Sequence, residues 1–279
     1  MKQERLRPWS CVVRLVGVVW FGVTLTLSSG CVTEPITGRR ILQVFPEGQL
    51  NEMGLQGYRQ ILGEATLSTN SEYIDMVERV GRRIAVVADE RMKAAGRETF
   101  EWEFKVLEAP ETVNAFALPG GKVAFYTGIL PICGDETGVA VVMGHEVAHA
   151  YAMHGGARVS NSAVAEFGLQ AVTLALGGEE ATETSKLAVA ALGGAYQYGV
   201  ALPFSRGDES AADEIGAHLM AEAGYDPREA AKFWQRMAAA SGGKAPPEFM
   251  STHPSNQTRI DDLNALLPTV LPIYEKNRR

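Results

Sequence analysis

The sequence is poor in cysteine, has no excess of positive charge, and lacks a long apolar run in its main part. Only three cysteines occur in 279 residues, and two lie within the first 31, so we expect no disulfide inside the folded body. The net charge is −7, and no basic run appears beyond the N-terminus, which argues against a nucleic-acid partner. The apolar stretches 162–177 and 185–202 are interrupted before reaching about 20 residues, so we expect packed helices rather than membrane spans.

The first thirty residues differ in composition from the rest and have the layout of a secretory signal. A positively charged start precedes an apolar run at 15–27, and small residues follow at 28–30. Cys31 comes directly after them, in an arrangement that resembles the lipobox of bacterial lipoproteins, although Ser28 stands where that box usually has leucine. We therefore expect a signal peptide over 1–30 and a lipid on Cys31. A cleaved soluble protein and an uncleaved anchor are the alternatives.

This N-terminus also predicts a location and a division of the chain. Val32 rather than aspartate follows Cys31, which by resemblance to Gram-negative sorting rules favours the outer membrane over the inner one. The protein is thus expected on the periplasmic side of the cell envelope, held to the membrane by lipid. Turn residues indicate an extended tether over 31–50, and residues 51–279 are expected to fold as one domain around a substantial core.

One segment contains a metal-binding motif among helix-forming residues, His145-Glu146-x-x-His149. We expect a helix over about 135–154 with Asp135 as its cap. Residues at i and i+4 share a helix face, so the two histidines can bind one metal ion. Glu146 can then reach a metal-bound water and take its proton, which is how many zinc-dependent peptidases use this spacing.

A catalytic zinc takes three protein ligands, so a third ligand must come from elsewhere in the chain. Glu209 is our candidate because it lies on a separate helix, predicted over about 206–223, whose small residues permit close packing. Asp213, one turn further along the same face, can accept the free ring N–H of a histidine ligand. The alternative for both carboxylates is a solvated acidic face. His154 and Glu166 are weaker candidates for the third ligand, because their surroundings do not complete a known zinc pattern.

The rest of the pattern predicts an α+β fold, mostly helical with a small β-sheet. Apolar residues recur at helical spacing within 51–95, and polar and apolar residues alternate over 99–107 as in a half-buried strand. Two apolar runs within 114–127, joined by Pro119-Gly120-Gly121, predict a hairpin at a sheet edge. Further helices are expected at 227–240 and 256–266, and Cys133 and His218 are expected to be structural.

Jointly, these segments resemble the gluzincin peptidases that include HtpX, the CAAX prenyl proteases and the mitochondrial Oma-type proteases, over about 110–262. The start of the chain looks like that of their bacterial periplasmic lipoprotein branch. The resemblance implies a zincin-like fold, one Zn2+ per chain bound by His145, His149 and Glu209, and Glu146 as the base. It rests on Asn114-Ala-Phe-Ala-Leu-Pro-Gly-Gly, on Gly144-His-Glu-Val-Ala-His, on Glu209-Ser-Ala-Ala-Asp213, and on His253-Pro254 followed by Arg259.

The resemblance further implies that the strand next to the metal helix is the sheet edge that receives substrate. A peptide that binds as an added strand is held by main-chain hydrogen bonds, which read little of its sequence. The alternative for the first residue of this strand is an ordinary turn asparagine. The predicted substrate-binding residues are Asn114, Ala115, Phe116 and Ala117.

Two residues near the C-terminus complete the predicted site. His253 is a candidate donor to the oxyanion that forms during amide hydrolysis. Alternatively, His253 covers the metal in a resting state, or it is an ordinary loop histidine beside Pro254. Arg259 is expected to pair with a carboxylate and so to help hold this segment at the site.

These observations predict a zinc-dependent endopeptidase of the bacterial cell envelope that hydrolyses misfolded or damaged envelope proteins. The helices over 162–202 could cover the cleft and keep the enzyme mostly closed. The alternative is a chaperone-like assembly factor for outer-membrane proteins with rare or gated proteolysis. A purely structural zinc protein is less consistent with the sequence, because structural sites prefer four ligands rich in cysteine.

Overall fold

The computed structural model describes residues 31–34, 36–175, 204–240, 247–253 and 257–278, and for 165–175 it describes the backbone alone. The predicted signal peptide and the predicted helix at 185–202 therefore lie outside the described residues. Among the described helices, none has both the length and the apolarity that a membrane crossing requires.

The described residues form five strands and nine helices, and the chain is mostly helical. Helices and strands occur in the order β1 (Cys31–Thr33), β2 (Arg40–Leu42), α1 (Glu47–Glu64), α2 (Ser71–Ala94), β3 (Glu103–Leu107), β4 (Ala115–Leu118), β5 (Lys122–Tyr126), α3 (Leu130–Cys133), α4 (Glu136–Tyr151), α5 (His154–Ala175), α6 (Arg206–Glu222), α7 (Glu229–Ala240), α8 (Glu248–Thr252) and α9 (Gln257–Asn277).

The three-stranded sheet has the order β3-β5-β4, with β5 parallel to β3 and antiparallel to β4. The turn between β4 and β5 contains Gly120 and Gly121, whose φ angles of 81° and 82° lie in a region that favours glycine. Strand β4 is thus an edge of the sheet, and it packs beside α4. The predicted α+β fold with an edge strand flanking the metal-motif helix is confirmed.

Helix α4 lies at the centre of the core. Asp135 caps it as predicted, because its carboxylate accepts hydrogen bonds from the backbone N–H groups of Thr137 and Gly138. From Gly138 to Tyr151 every residue is buried, so the helix has no solvent-exposed face over these turns. Such a helix can present polar side chains only to other buried groups, which must satisfy them.

Helix α6 crosses α4 at two glycines. A methyl group built on Gly144 would lie 2.9 Å from the carbonyl oxygen of Gly216, and one on Gly216 would lie 2.9 Å from backbone atoms of α4. Both contacts are shorter than side-chain carbons tolerate, so the crossing requires glycine on both helices. The small residues noted in the sequence of α6 therefore permit its backbone to touch the backbone of α4.

Two segments differ from the sequence-based expectation. Residues 31–42, expected as part of an extended tether, pair as the antiparallel strands β1 and β2. Helix α9 continues to Asn277 although Pro268 and Pro272 lie inside it, whereas the expected helix ended at 266. A proline within a helix removes a backbone hydrogen bond, but α9 packs against α6 and α7 and buries Val270, which offsets that loss.

Candidate metal centre

The two histidines of the motif point at each other from successive turns of α4. The Nε2 atoms of His145 and His149 are 3.1 Å apart, and the two residues are 3% and 2% exposed. Their ring planes are nearly perpendicular, at 78°. The helix therefore brings two ring nitrogens to one point inside the core, as the i, i+4 spacing predicts.

Helix α6 adds a carboxylate to this point. The two oxygens of Glu209 lie 3.4 Å from His145 Nε2 and 3.5 Å from His149 Nε2, and the residue is 1% exposed. The alternative of a solvated acidic face is therefore wrong for this residue. Glu166, the rival ligand, belongs to the part of α5 whose side chains are not described.

His253, which follows the short helix α8, adds a third nitrogen and so a fourth donor. Its Nδ1 lies 3.2 Å from His145 Nε2 and 3.0 Å from Glu209 Oε1, and its Nε2 lies 3.4 Å from an oxygen of Glu146. The residue is 2% exposed. This buried position does not match an ordinary loop histidine.

The spacing of these four donors fits a small divalent ion. Four tetrahedral ligands with bonds of about 2.0–2.1 Å have their donor atoms roughly 3.3–3.4 Å apart. Here the donor atoms are separated by 3.0–3.5 Å in the five pairs given above, and all four lie within 4.8 Å of one another. The described residues contain no second such cluster that could hold a metal. The predicted presence of a metal is thus supported by this donor set.

A buried carboxylate and guanidinium orient the first histidine. Asp213 Oδ1 lies 3.1 Å from His145 Nδ1, on the ring edge opposite the donor cluster. Arg259 donates two hydrogen bonds to Asp213, from Nε at 2.6 Å and from Nη2 at 2.7 Å, and its Nη1 lies 2.7 Å from Glu209. The guanidinium also lies over the ring of Trp234, at 4.1 Å. Arg259 therefore pairs with a carboxylate, as expected, and it does so with two, those of Asp213 and Glu209.

Burial and ion pairing set the charge state of these groups in opposite directions. Burial lowers the pKa of His145, but hydrogen bonds that its ring donates to the carboxylates of Asp213 and Glu209 outweigh burial and raise that pKa to about 9. Burial also lowers the pKa of His149, here well below its usual value. Burial would raise the pKa of Glu209, yet His253 and the motif histidines hold it well below the usual range. Glu209 thus stays ionised, as a metal ligand must.

Glu146 lies between the donor cluster and the edge strand. Its Oε2 accepts a hydrogen bond of 3.1 Å from the backbone N–H of Ala117 in β4. Its Oε1 has no hydrogen-bond partner among the described residues, and burial raises the pKa of the carboxyl group. An unsatisfied buried oxygen is costly unless a ligand uses it, so this atom is placed to accept a proton.

The edge strand itself is partly covered by α8. Asn114 is fully buried, and its Nδ2 donates to Glu248 Oε1 at 3.2 Å while its Oδ1 accepts from the Ala115 N–H. The backbone N–H of Phe249 bonds to the carbonyl of Val113 at 2.9 Å. The α8 segment therefore contacts the two residues directly before β4, and one of them, Asn114, is among the predicted substrate-binding residues. Ala115 and Phe116 are buried, and Ala117 is half-buried.

Some contacts of the site carry no signal in the sequence. The ring of Phe204 stacks on His149 at 3.9 Å between centroids, and His154 Nδ1 lies 3.0 Å from His149 Nδ1. His154 lies outside the four-donor cluster, at the first position of α5, and it is buried. Burial lowers its pKa to about 4. The sequence shows only that His154 follows His149 by five residues.

The remaining single residues lie away from the cluster. Cys133 is buried in α3 and its thiol pKa is raised by burial, so it matches the predicted apolar role. His218 is partly exposed on α6 and borders a recess with Glu214 and Arg91. Cys31 is exposed at the start of β1.

Comparison with known proteins shows the family of this chain. The model of "Peptidase family M48" matches residues 77–267, which is more than half of the chain. The chain belongs to this family. The matched region contains α4, α6 and the start of α9. The match confirms the gluzincin-type peptidase family inferred from the motifs.

Three relatives illustrate the family likeness. Mitochondrial metalloendopeptidase OMA1 of Schizosaccharomyces pombe is 36% identical over 84% of this chain and 66% of its own length. Its Saccharomyces cerevisiae counterpart is 36% identical over 63% of this chain and 50% of its own. The beta-barrel assembly-enhancing protease of Escherichia coli K12 is 25% identical over 95% and 54%. The chain thus spans about half to two thirds of these relatives' length. The names support the predicted enzyme class, a metalloendopeptidase.

The predicted location is corrected by these comparisons. Relatives that are 36% identical are named as mitochondrial proteins, which contradicts a lipid-anchored location on the bacterial outer membrane. The error has a physical reason, because a basic, acid-poor N-terminus is also typical of organellar targeting segments, and Glu4 is the one acidic residue of the first thirty. Lipid on Cys31 and envelope proteins as substrates have no support in the comparisons.

Proposed function

We propose that this chain is a zinc-dependent endopeptidase that cleaves unfolded protein segments bound along strand β4. The observation that carries this proposal is the convergence of His145, His149 and Glu209 on one point beside the Glu146 carboxylate. Two imidazoles and a carboxylate are a ligand set of catalytic zinc. One Zn2+ per chain supplies Lewis-acid chemistry when bound: it polarises a substrate carbonyl and lowers the pKa of water.

The residues of the chain perform the proton transfers and hold the substrate. Glu146, whose Oε1 accepts no hydrogen bond from the described residues, takes a proton from the attacking water and returns it to the leaving amine. The hydrogen bond from Ala117 keeps the carboxylate next to the sheet edge, so the base and the bound strand stay in register. Main-chain pairing along β4 requires an extended segment and little particular sequence, which suits unfolded substrates.

A variant of Glu146 tests this proposal. Glu146→Gln keeps the volume and the contact with Ala117 but removes the base, so we expect zinc content near one per chain and casein cleavage reduced at least 10²-fold. Glu136→Gln is the matched control, because Glu136 is a partly exposed residue at the start of the same helix that pairs with Arg79. A wild-type protein that binds no zinc, or a Glu146→Gln protein that cleaves casein at the wild-type rate, would refute the proposal.

We further propose that the described conformation is a resting state in which His253 takes the fourth ligand position. Supporting this, His253 Nδ1 lies 3.0–3.2 Å from His145 Nε2 and Glu209 Oε1, and the α8 segment before it bonds to Val113, two residues before β4. The attacking water needs that fourth ligand position, and a substrate needs access to β4. Proteolysis is then gated, which is also the property expected of an assembly factor that cleaves rarely.

The alternative for His253 is a donor to the oxyanion, and the two roles predict opposite results. His253→Ala should increase casein cleavage if the ring blocks the site and decrease it if the ring stabilises the transition state. His218→Ala is the control, because His218 lies outside the cluster on α6. Metal content measured beside the rates ensures that an altered rate is not an altered occupancy.

A further inference from the structure

Different side chains contact the Nδ1 atoms of the two motif histidines. His145 has a carboxylate at its Nδ1, as described above. His149 has instead another histidine, with His154 Nδ1 at 3.0 Å from His149 Nδ1. His154 is 1% exposed, so the contact is shielded from solvent. A pair of buried ring nitrogens at this distance shares one proton, because one must donate and the other accept.

The backbone turn between α4 and α5 places His154 at this position. Met153 has φ 55°, and it is the only residue other than glycine with a positive φ in the part of the chain that the structure describes. This left-handed residue reverses the chain after α4, so the first residue of α5 returns to the ring of His149. Such a conformation is uncommon for methionine and persists only when the surrounding structure enforces it.

The position of the proton follows from the direction of His149. Its Nε2 faces the donor cluster, 3.1 Å from His145 Nε2, so a metal bound there takes the Nε2 lone pair and leaves the proton on Nδ1. His149 Nδ1 then donates to His154 Nδ1, which accepts. The proton of His154 is consequently on Nε2, which lies 4.0 Å from the carboxylate oxygen Oδ1 of Asp208.

Asp208 is itself held in place by two other contacts. Arg39, in the turn between β1 and β2, lies 3.0 Å from Asp208 Oδ1 and also donates to the carbonyl of Gly207. The other oxygen of Asp208 accepts from the hydroxyl of Ser205, which caps α6. The series His149, His154, Asp208 and Arg39 therefore runs from the donor cluster to the N-terminal hairpin.

We propose that His154 is a positioning residue that fixes the ring orientation and the tautomer of His149 for metal binding. The inference rests on the proposed function, since it requires a metal at the four-donor cluster. His154 contributes no ligand; it acts through the Nδ1–H of His149, as Asp213 acts through His145. Loss of such a partner typically reduces metal affinity by about 10- to 100-fold.

Two variants separate positioning from packing. His154→Phe fills the space but leaves the Nδ1–H of His149 without an acceptor, whereas His154→Asn restores an acceptor, because the amide oxygen of asparagine lies where Nδ1 was. We expect Zn2+ affinity, measured against a competing chelator, to fall about 10- to 100-fold in His154→Phe and to stay within about threefold of wild type in His154→Asn. The visible absorption spectrum of the Co2+-substituted full chain should shift in the first variant only.

The outcomes distinguish this inference from the proposed function. Wild-type affinity and an unchanged Co2+ spectrum in His154→Phe would overturn the positioning role while the zinc site stands. Equal losses in both variants, with lower thermal stability of the metal-free proteins, would overturn it in favour of packing. Failure of the wild-type chain to bind Zn2+ or Co2+ would refute the proposed function, and the inference with it.

Discussion

The two sides of the donor cluster are supported in chemically different ways. On the inner side, Asp213 and Arg259 form a bidentate ion pair whose side chains are 8% and 4% exposed. On the outer side, the corresponding pair is Asp208 and Arg39, with 20% and 37% exposed. Burial makes the inner pair indispensable, because neither charge has water to replace its partner. In the outer pair, each charged group can exchange its partner for water at little cost in free energy.

Removing the inner arginine is the strongest way to test this difference. Arg259→Gln leaves the carboxylates of Asp213 and Glu209 buried without their cation, so we expect a loss of about 3–5 kcal/mol in the free energy of unfolding. Urea denaturation of the metal-free protein measures it. A loss below 1 kcal/mol would show that water enters the inner side and that burial does not distinguish the two pairs.

Metal removal tests whether a metal ion binds at the donor cluster between the inner and outer sides. If Zn2+ binds the folded state alone, saturation at about 1,000 times the dissociation constant adds about 4 kcal/mol to the free energy of unfolding, and a chelator should remove this contribution. Thermal denaturation with and without chelator measures the change. A chain equally stable in both conditions would contradict a metal at this cluster.

Replacing the inner carboxylate, that of Asp213, should change the metal affinity more than the free energy of unfolding. Asp213→Asn keeps the size of the side chain but weakens the acceptor for His145 Nδ1, so we expect Zn2+ affinity to fall by about 10- to 100-fold. Competition with a chelator measures it. Glu214→Gln, at the partly exposed neighbouring position, serves as the control and should bind Zn2+ as wild type does. Unchanged affinity in Asp213→Asn would indicate that the ring of His145 is held by packing alone.

The smallest effect is expected on the outer side. Arg39→Gln removes a partly exposed ion pair, so the free energy of unfolding should fall by less than about 1 kcal/mol, and raising the ionic strength should reduce the difference further. Urea denaturation at two salt concentrations measures both. A loss as large as that in Arg259→Gln would mean that the hairpin β1–β2 is an integral part of the site.

The sequence predicts those parts of the site that depend on local spacing. The i, i+4 histidines, the cap at Asp135 and the Pro119-Gly120-Gly121 turn each follow from rules that act within a few residues, and the structure contains all three. The sequence predicts that Arg259 pairs with a carboxylate, but it specifies neither of the two partners, Asp213 and Glu209.

Other features depend on contacts between distant segments or on uncommon backbone angles. Nothing in the residue type of Met153 indicates φ 55°, and without that angle the contact of His154 with His149 has no sequence signature. The length of α9 depends on packing that outweighs two prolines. The location is predicted from the layout of the first thirty residues, the lipobox resemblance at Cys31 and the identity of Val32, and such short N-terminal patterns do not distinguish one targeting system from another.

The glycine contact between α4 and α6 has a consequence for the size of the ion. In the proposed site, two ligands come from α4 and one from α6, and the helices touch backbone to backbone at Gly144 and Gly216. Side chains therefore cannot set or relax the spacing between the helices. Ca2+, with bonds of about 2.3–2.6 Å and six to eight oxygen ligands, would require the helices to move apart. In the proposed site, discrimination against larger ions is thus set by the main chain, at two positions that carry no side chain.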